Sequence, residues 1–250
     1  MRQRQFAPAW LTARPIAHRG LHDSTRRIVE NTLGACKAAV DGDYAIECDL
    51  QITRDGEAVL FHDDALDRVM EVCGLVKNAT VAELKKMRYR HSDESMPTLA
   101  ELLSLVAGKV PLVIELKPQW DGDMALTQRA IEVLKIYDGP HCLMSFDPDV
   151  VEAVRLRAPS TIRGFISDRG HDGFYNRLPP RIQSELRTLS CLERIEPHFL
   201  SFDVDELPWA PVEELRSCGM PVITWTIRSP EQARMARRYS DQITFERFLA

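Results

Sequence analysis

Long apolar runs are missing from this 250-residue sequence. No stretch approaches the roughly 18 uninterrupted apolar residues of a membrane helix, so no membrane span is expected. Paired cysteines are missing too. Six are scattered at positions 36, 48, 73, 142, 191 and 218, none with CxxC spacing, which argues against both a zinc knuckle and a disulfide scaffold. Several lie in apolar runs, where a thiol behaves as a small buried hydrophobe. An excess of positive charge is also absent: the net charge is −5, and a nucleic-acid partner usually needs a basic face. The opening residues MRQRQFAPAWLTARP are basic but have no apolar core, so they do not read as a secretory signal. Scattered cysteines and no signal predict a cytoplasmic protein. Neither a repeat nor a low-complexity linker interrupts the chain.

What is present is a rhythm. Short strand-like runs recur as PIAHRG, YAIECDLQIT, AVLFHD, PLVIELK, HCLMSFD, TIRGFIS, HFLSFDV, PVITWTI and DQITFE. Amphipathic segments of about ten to fifteen residues lie between most of them, as alternating β and α elements require. Thr80 with Glu83 and Thr98 with Glu101 have the spacing of capping boxes, and Ser229-Pro230 reads as an N-cap followed by N1. Such alternation over this length fits a single (β/α)8 barrel spanning 1–250. A barrel needs eight strands. The surplus is AVLFHD, which follows its predecessor after only RDGE and so reads as the return arm of a hairpin. Residues 64–98 then read as a small insertion after the second strand.

Charge is placed where strands end. Glu47 and Asp49 sit two apart in one strand and share a face, and Glu115 and Lys117 repeat that spacing. Carboxylates inside apolar strands are costly unless paired or bound to a cation. At the C-terminal ends of barrel strands they would meet at the face where active sites form. Glu47, Asp49 and Glu115 offer an oxygen set suited to Mg²⁺ or Ca²⁺. His18 and His62 would project into the same mouth as a general acid and base, with Arg19 and Lys117 able to hold a phosphate.

Read in order, HRG at 18–20, Glu30-Asn31, ECD at 47–49, His62-Asp63 and ELK at 115–117 resemble the glycerophosphodiester phosphodiesterase family. PTL at 97–99 and TWTI at 224–227 also match its habits, so the resemblance covers nearly the whole chain. It implies a barrel with an insertion after the second strand, catalytic His18 and His62, and metal ligands Glu47, Asp49 and Glu115. It also implies phosphate contacts from Arg19 and Lys117, a pocket-facing Trp225, and a first loop shaped by Glu30 and Asn31. For Trp225, core packing is an equal reading, and for Asp147, followed by Pro148, a helix N-cap is at least as good as a functional role. Two departures stand out. DRVM replaces a commoner ending in threonines, and ITFERFLA replaces a commoner strand end. Both bear on which diester is preferred.

The expected reaction is metal-dependent hydrolysis of a deacylated phospholipid to glycerol 3-phosphate and an alcohol. Two alternatives stand beside it: a lysophospholipase D-like lipid phosphodiesterase, and a non-catalytic barrel that binds phosphodiesters. The sequence leaves the alcohol, the metal and the oligomeric state open. His22, His91, His141, His171 and His198 read as structural or surface residues, and the polar stretch 167–180 as a rim loop that selects substrate.

Overall fold

The computed structural model describes residues 6–170 and 173–250. The chain packs as two compact units, one of residues 16–117 and 124–141, the other of residues 6–15, 118–123 and 142–250 as far as they are described.

In the first unit, β1 (Ile16–Ala17) is only two residues long. The chain turns there because Arg19 and Gly20 both take positive φ, 54° and 75°. Gly20 has a second reason to be glycine: a Cβ would stand 2.7 Å from the Ala35 carbonyl carbon. Helix α1 (Leu33–Asp41) starts at Thr32, whose hydroxyl accepts the Ala35 N–H. β2 (Ala45–Ile52) runs parallel to β1, with Ile16 beside Ala45. Its alternation puts Ile46, Cys48 and Leu50 on one face and Glu47, Asp49 and Gln51 on the other, and all six are buried. Truncating Leu50 to Ala should therefore cost about 2–5 kcal/mol. β3 (Ala58–Leu60) turns back antiparallel on β2, Leu60 opposite Leu50, after a turn with Gly56 at φ 80°. The surplus run is thus the hairpin arm that its short connection demands.

The following segment builds a small core of its own from Val59, Phe61, Leu66, Met70, Val76, Leu84, Tyr89 and Met96. It holds α2 (Val81–Leu84), begun by the Thr80–Glu83 capping box. The segment returns to where it left, with Leu60 N–H donating to Pro97 O at 2.8 Å. α3 (Leu99–Val106) starts with the Thr98–Glu101 capping box and buries Leu99, Leu102, Leu103 and Val106. β4 (Leu112–Leu116) pairs parallel with β2 and sets Glu115 beside Asp49, and α4 (Ala125–Leu134) follows.

The second unit continues the alternation. β5 (His141–Ser145) leads to α5 (Pro148–Arg157), with Asp147 as N-cap and Pro148 at N1. Then come β6 (Ile162–Ser167), α6 (Pro180–Thr188), α7 (Leu192–Ile195), β7 (Phe199–Asp203) and α8 (Ala210–Ser217). β8 (Val222–Ile227), α9 (Pro230–Ala236) and β9 (Gln242–Phe245) complete it. Phe165, Leu200, Phe202 and Val222 form its core with residues from α6 to α8. His198 is buried below β7, where its Nδ1 accepts the Arg163 N–H at 3.1 Å. The stretch 167–180 contains a short turn of 3-10 helix at Gly173–Arg177, and Tyr175 donates to Asp168 at 2.9 Å. His171 lies outside the described residues.

Strand order is β1-β9-β8-β7-β6-β5-β4-β2-β3, with β1 also pairing β2. With β3 set aside as the hairpin arm, eight parallel strands alternate with helices: the fold is of the (β/α)8-barrel class. Among the described residues no helix is long and apolar enough to cross a membrane.

Candidate active site

The site builds from three strand ends of the first unit. β1 delivers His18 and Arg19, β2 delivers Glu47 and Asp49, and β4 delivers Glu115 and Lys117. The parallel register explains why these meet, since Asp49 and Glu115 are direct neighbours and Gly20 N–H donates to Glu47 O at 3.1 Å. Ligand atoms of Glu47, Asp49 and Glu115 all lie within 4.8 Å of one another, and the three residues are buried. His18 Nε2 is 4.0 Å from Glu47 Oε2. Lys117 Nζ lies 2.9 Å from Glu115 Oε1 and 3.6 Å from Asp49 Oδ1.

The first loop is tied to this cluster by its backbone. Arg19 N–H donates to Glu47 Oε2 at 2.8 Å, and Asn31 N–H to Arg19 O at 2.9 Å. Asn31, itself at φ 56°, grips Asp49 twice: its Nδ2 donates to the carboxylate at 2.8 Å and its Oδ1 accepts the Asp49 N–H at 3.1 Å. Arg19 NH1 meets Glu30 at 2.7 Å and its Nε lies 3.5 Å from Asp49. His62 follows the hairpin arm, half-buried, with Nδ1 2.6 Å from Asp63 Oδ1.

Two residues enter here that sequence reasoning gave no role. Asp63 partners His62, and Arg68 binds Asp63 through Nε at 2.6 Å and Glu30 through both terminal nitrogens at 2.9 and 2.6 Å. The signal was an arginine five residues after His62-Asp63, inside a segment whose path the sequence does not reveal.

Electrostatics separate the carboxylates. Burial and the charges of Asp49 and Glu115 push Glu47 well above its usual range. Burial also raises Glu115, against the pull of Lys117. Asp49 is just as buried, but Lys117, His62, Arg19 and the Asn31 hydrogen bond hold it well below. Lys117 is held above its usual range: burial opposes its charge, and Glu115 and Asp49 outweigh that. Burial works against charge on Glu30, yet hydrogen bonds and charge from Arg68 and Arg19 lower it to about 2. Crowded hard oxygens that repel one another fit a divalent cation. With all three carboxylates ionised, as ligands to a cation would be, their charge against Arg19 and Lys117 sums to one negative charge. A divalent cation would turn that into one positive charge, which matches a phosphodiester monoanion.

The remaining candidate, Trp225, lies in the second unit on β8, edge-on to Phe146 with ring centroids 5.5 Å apart. Its indole Nε1 is buried and has no hydrogen-bond partner among the described residues. Asp147 is an N-cap, its side chain accepting the Asp149 N–H at 2.8 Å.

The chain as a whole is similar to known proteins. Residues 18–242 match the sequence model of the Glycerophosphoryl diester phosphodiesterase family. A glycerophosphodiester phosphodiesterase of Caldanaerobacter subterraneus subsp. tengcongensis is 30% identical over 240 residues, 91% of each chain. A probable glycerophosphodiester phosphodiesterase 1 of Mycobacterium tuberculosis is 38% identical over 103 residues, 36% of each chain. Among solved structures, an Oleispira antarctica phosphodiesterase in complex with the product sn-glycerol-3-phosphate superposes with a TM-score of 0.77. It is 26% identical and the match covers 92% of this chain and 91% of that one. The Thermotoga maritima glycerophosphodiester phosphodiesterase, at 23% identity and a TM-score of 0.70 over 92% of each chain, supports the fold.

Proposed function

Because the chain belongs to the glycerophosphoryl diester phosphodiesterase family and is an enzyme of that kind, we propose a specific reaction for it: divalent-cation-dependent hydrolysis of a glycerophosphodiester to glycerol 3-phosphate and the free alcohol. The observation that carries this reading is the buried Glu47, Asp49 and Glu115 group flanked by His18, Arg19 and Lys117. Glu47, Asp49 and Glu115 would hold the cation. When bound, it would supply positive charge against the negative charge of the phosphoryl oxygens.

This chain's side chains then divide the work. Arg19 and Lys117, both close to Asp49, hold the phosphate, Arg19 through a planar fork and Lys117 as a point charge. One histidine takes a proton from the nucleophile, which is water or the neighbouring hydroxyl of the glycerol; attack by the hydroxyl gives a cyclic phosphate, which water then opens to glycerol 3-phosphate. A P–O bond forms to the attacking oxygen as the P–O bond to the departing alcohol breaks. The other histidine gives its proton to the leaving alkoxide. The reading assigns His18 as base and His62 as acid, with the Asp63 carboxylate 2.6 Å from Nδ1 to orient the His62 ring. The product named in the Oleispira antarctica structure supports the glycerol 3-phosphate half of the assignment. No observation favours a lysophospholipid substrate over a deacylated one, and a purely binding role leaves the two histidines without a task.

A chelation experiment tests the reading. Turnover of a glycerophosphodiester should vanish in excess chelator and return with Mg²⁺, Ca²⁺ or Mn²⁺. Glu47→Gln should raise the metal concentration needed, because it removes a charged oxygen. Full turnover by metal-free protein in chelator overturns the proposal.

A further inference from the structure

The structure points to a continuous chain of charge linking His62 to Arg19, and Arg68 is its centre. Asp63 uses one carboxylate oxygen for His62 Nδ1 and the other for Arg68 Nε. Arg68 turns its two terminal nitrogens onto the two oxygens of Glu30. Glu30 Oε1 also accepts from Arg19 NH1. We propose that Arg68 is a positioning residue for the reaction: through Asp63 it fixes the ring of His62, and through Glu30 it sets where the Arg19 guanidinium stands.

The chemistry of the fork supports this. Arg68 spends three donors in one plane on two carboxylates, an arrangement that lysine cannot copy. Its side chain is exposed, so an isolated ion pair here would add little to stability. The arrangement is not an isolated pair. The Asp63 carboxylate has one oxygen left for the histidine, and Arg68 holds the other, so the Asp63 rotamer and with it the imidazole orientation are set. Without Arg68, Glu30 keeps Arg19 as its sole cation among the described residues and draws it in more tightly, at the expense of a bound phosphate. Asp63 in turn keeps only His62. One residue of the insertion thereby serves both the proton donor and the phosphate contact.

This inference rests on the assignment of His62 proposed above, and the experiment separates the two. His18→Ala, His62→Ala, Arg68→Gln, Arg68→Lys and the double variant Arg68→Gln/His62→Ala are compared on an alkyl glycerophosphodiester and on a nitrophenyl ester of glycerol phosphate. Arg54→Gln, which breaks an exposed ion pair to Glu83 in the same unit, serves as control. Arg68→Gln should lose about ten- to a hundredfold in kcat on the alkyl diester, the usual effect of removing a group that orients a functional histidine. Its pattern across the two substrates should copy that of His62→Ala and differ from that of His18→Ala. KM should rise on both substrates. Arg68→Lys should recover part of the loss, and adding Arg68→Gln to His62→Ala should cost little more kcat. If His62→Ala itself is unimpaired, the histidine assignment fails. If His62→Ala is impaired while Arg68→Gln behaves like Arg54→Gln, or keeps its full cost on top of His62→Ala, the positioning role fails by itself. Circular dichroism melts identify a variant that has merely unfolded. In that event Asp63→Asn takes its place, and it must show the same substrate pattern.

Discussion

His18 and His62 differ in surroundings more than in sequence context. His18 faces Glu47 across 4.0 Å, while His62 has a carboxylate 2.6 Å from its Nδ1. An alkoxide leaves poorly without a proton, whereas nitrophenolate needs none. Removing the acid should therefore cost about 10²–10⁴ in kcat on a natural diester and far less on the nitrophenyl ester, and removing the base should cost the same on both. Equal losses for both variants on both esters would mean that the rings position substrate or stabilise charge instead. Asn31 permits another test. Asn31→Ala takes two hydrogen bonds from Asp49 and puts alanine at a φ of 56°. It should lower stability by about 1–3 kcal/mol and weaken metal affinity, read from a urea midpoint and a metal titration. At this scale the sequence was generous. Two-residue spacing on a strand was enough to pair Glu47 with Asp49. It could not show that Glu30 binds Arg68, because that contact spans 38 residues and depends on how the insertion folds back.

Elements were legible where local chemistry alone specifies them. Thr98–Glu101, Thr80–Glu83 and Ser229-Pro230 cap helices as their spacing indicated, and the four-residue link RDGE made a hairpin. β1 was less legible. PIAHRG reads as one run, but the strand stops at Ala17 since Arg19 turns into the left-handed region, held by Glu47 and Asn31. Strand propensity has no view of those distant partners. The capping box of α3 gives a clean prediction. Thr98→Ala should destabilise the protein by about 1 kcal/mol, seen as a lower urea midpoint with unchanged m, and Glu101→Ala should reproduce part of it. A midpoint equal to that of the unaltered protein would show that packing of Leu99 and Leu102 holds the helix without its cap.

At the scale of the whole molecule, acid sensitivity should trace in part to His198. Burial first, and Arg163 second, lower its pKa to about 4, against roughly 6.5 in an unfolded chain. Between those values the unfolded state takes up a proton that the native state refuses. Stability therefore rises with pH across this window, and is lost as pH falls from about 6.5 to about 4, by at most about 1.4 kcal/mol per pH unit from this one group. Urea midpoints measured from pH 7 to pH 4 should fall less steeply for His198→Gln, which can still accept the Arg163 N–H. An identical slope would assign the effect to other groups. Ligand linkage acts on the same balance: a divalent cation at about a hundred times its Kd should add about 2.7 kcal/mol, and Glu47→Gln should diminish that gain.

The segment after β3 leaves and rejoins its unit at almost one point, where Leu60 N–H meets Pro97 O and Val59 bridges Thr98. An excursion closed in this way can gain or lose residues at its far end while His62 and Asp63 stay fixed at its root. Each doubling of its length adds only about 0.6 kcal/mol in closure entropy. Insertions at exposed turns beyond Arg68, away from the core of Met70, Val76, Leu84 and Tyr89, are thus among the cheapest changes open to this lineage. They would let natural variation, or a deliberate exchange of segments between relatives, reshape the segment without disturbing His62 and Asp63.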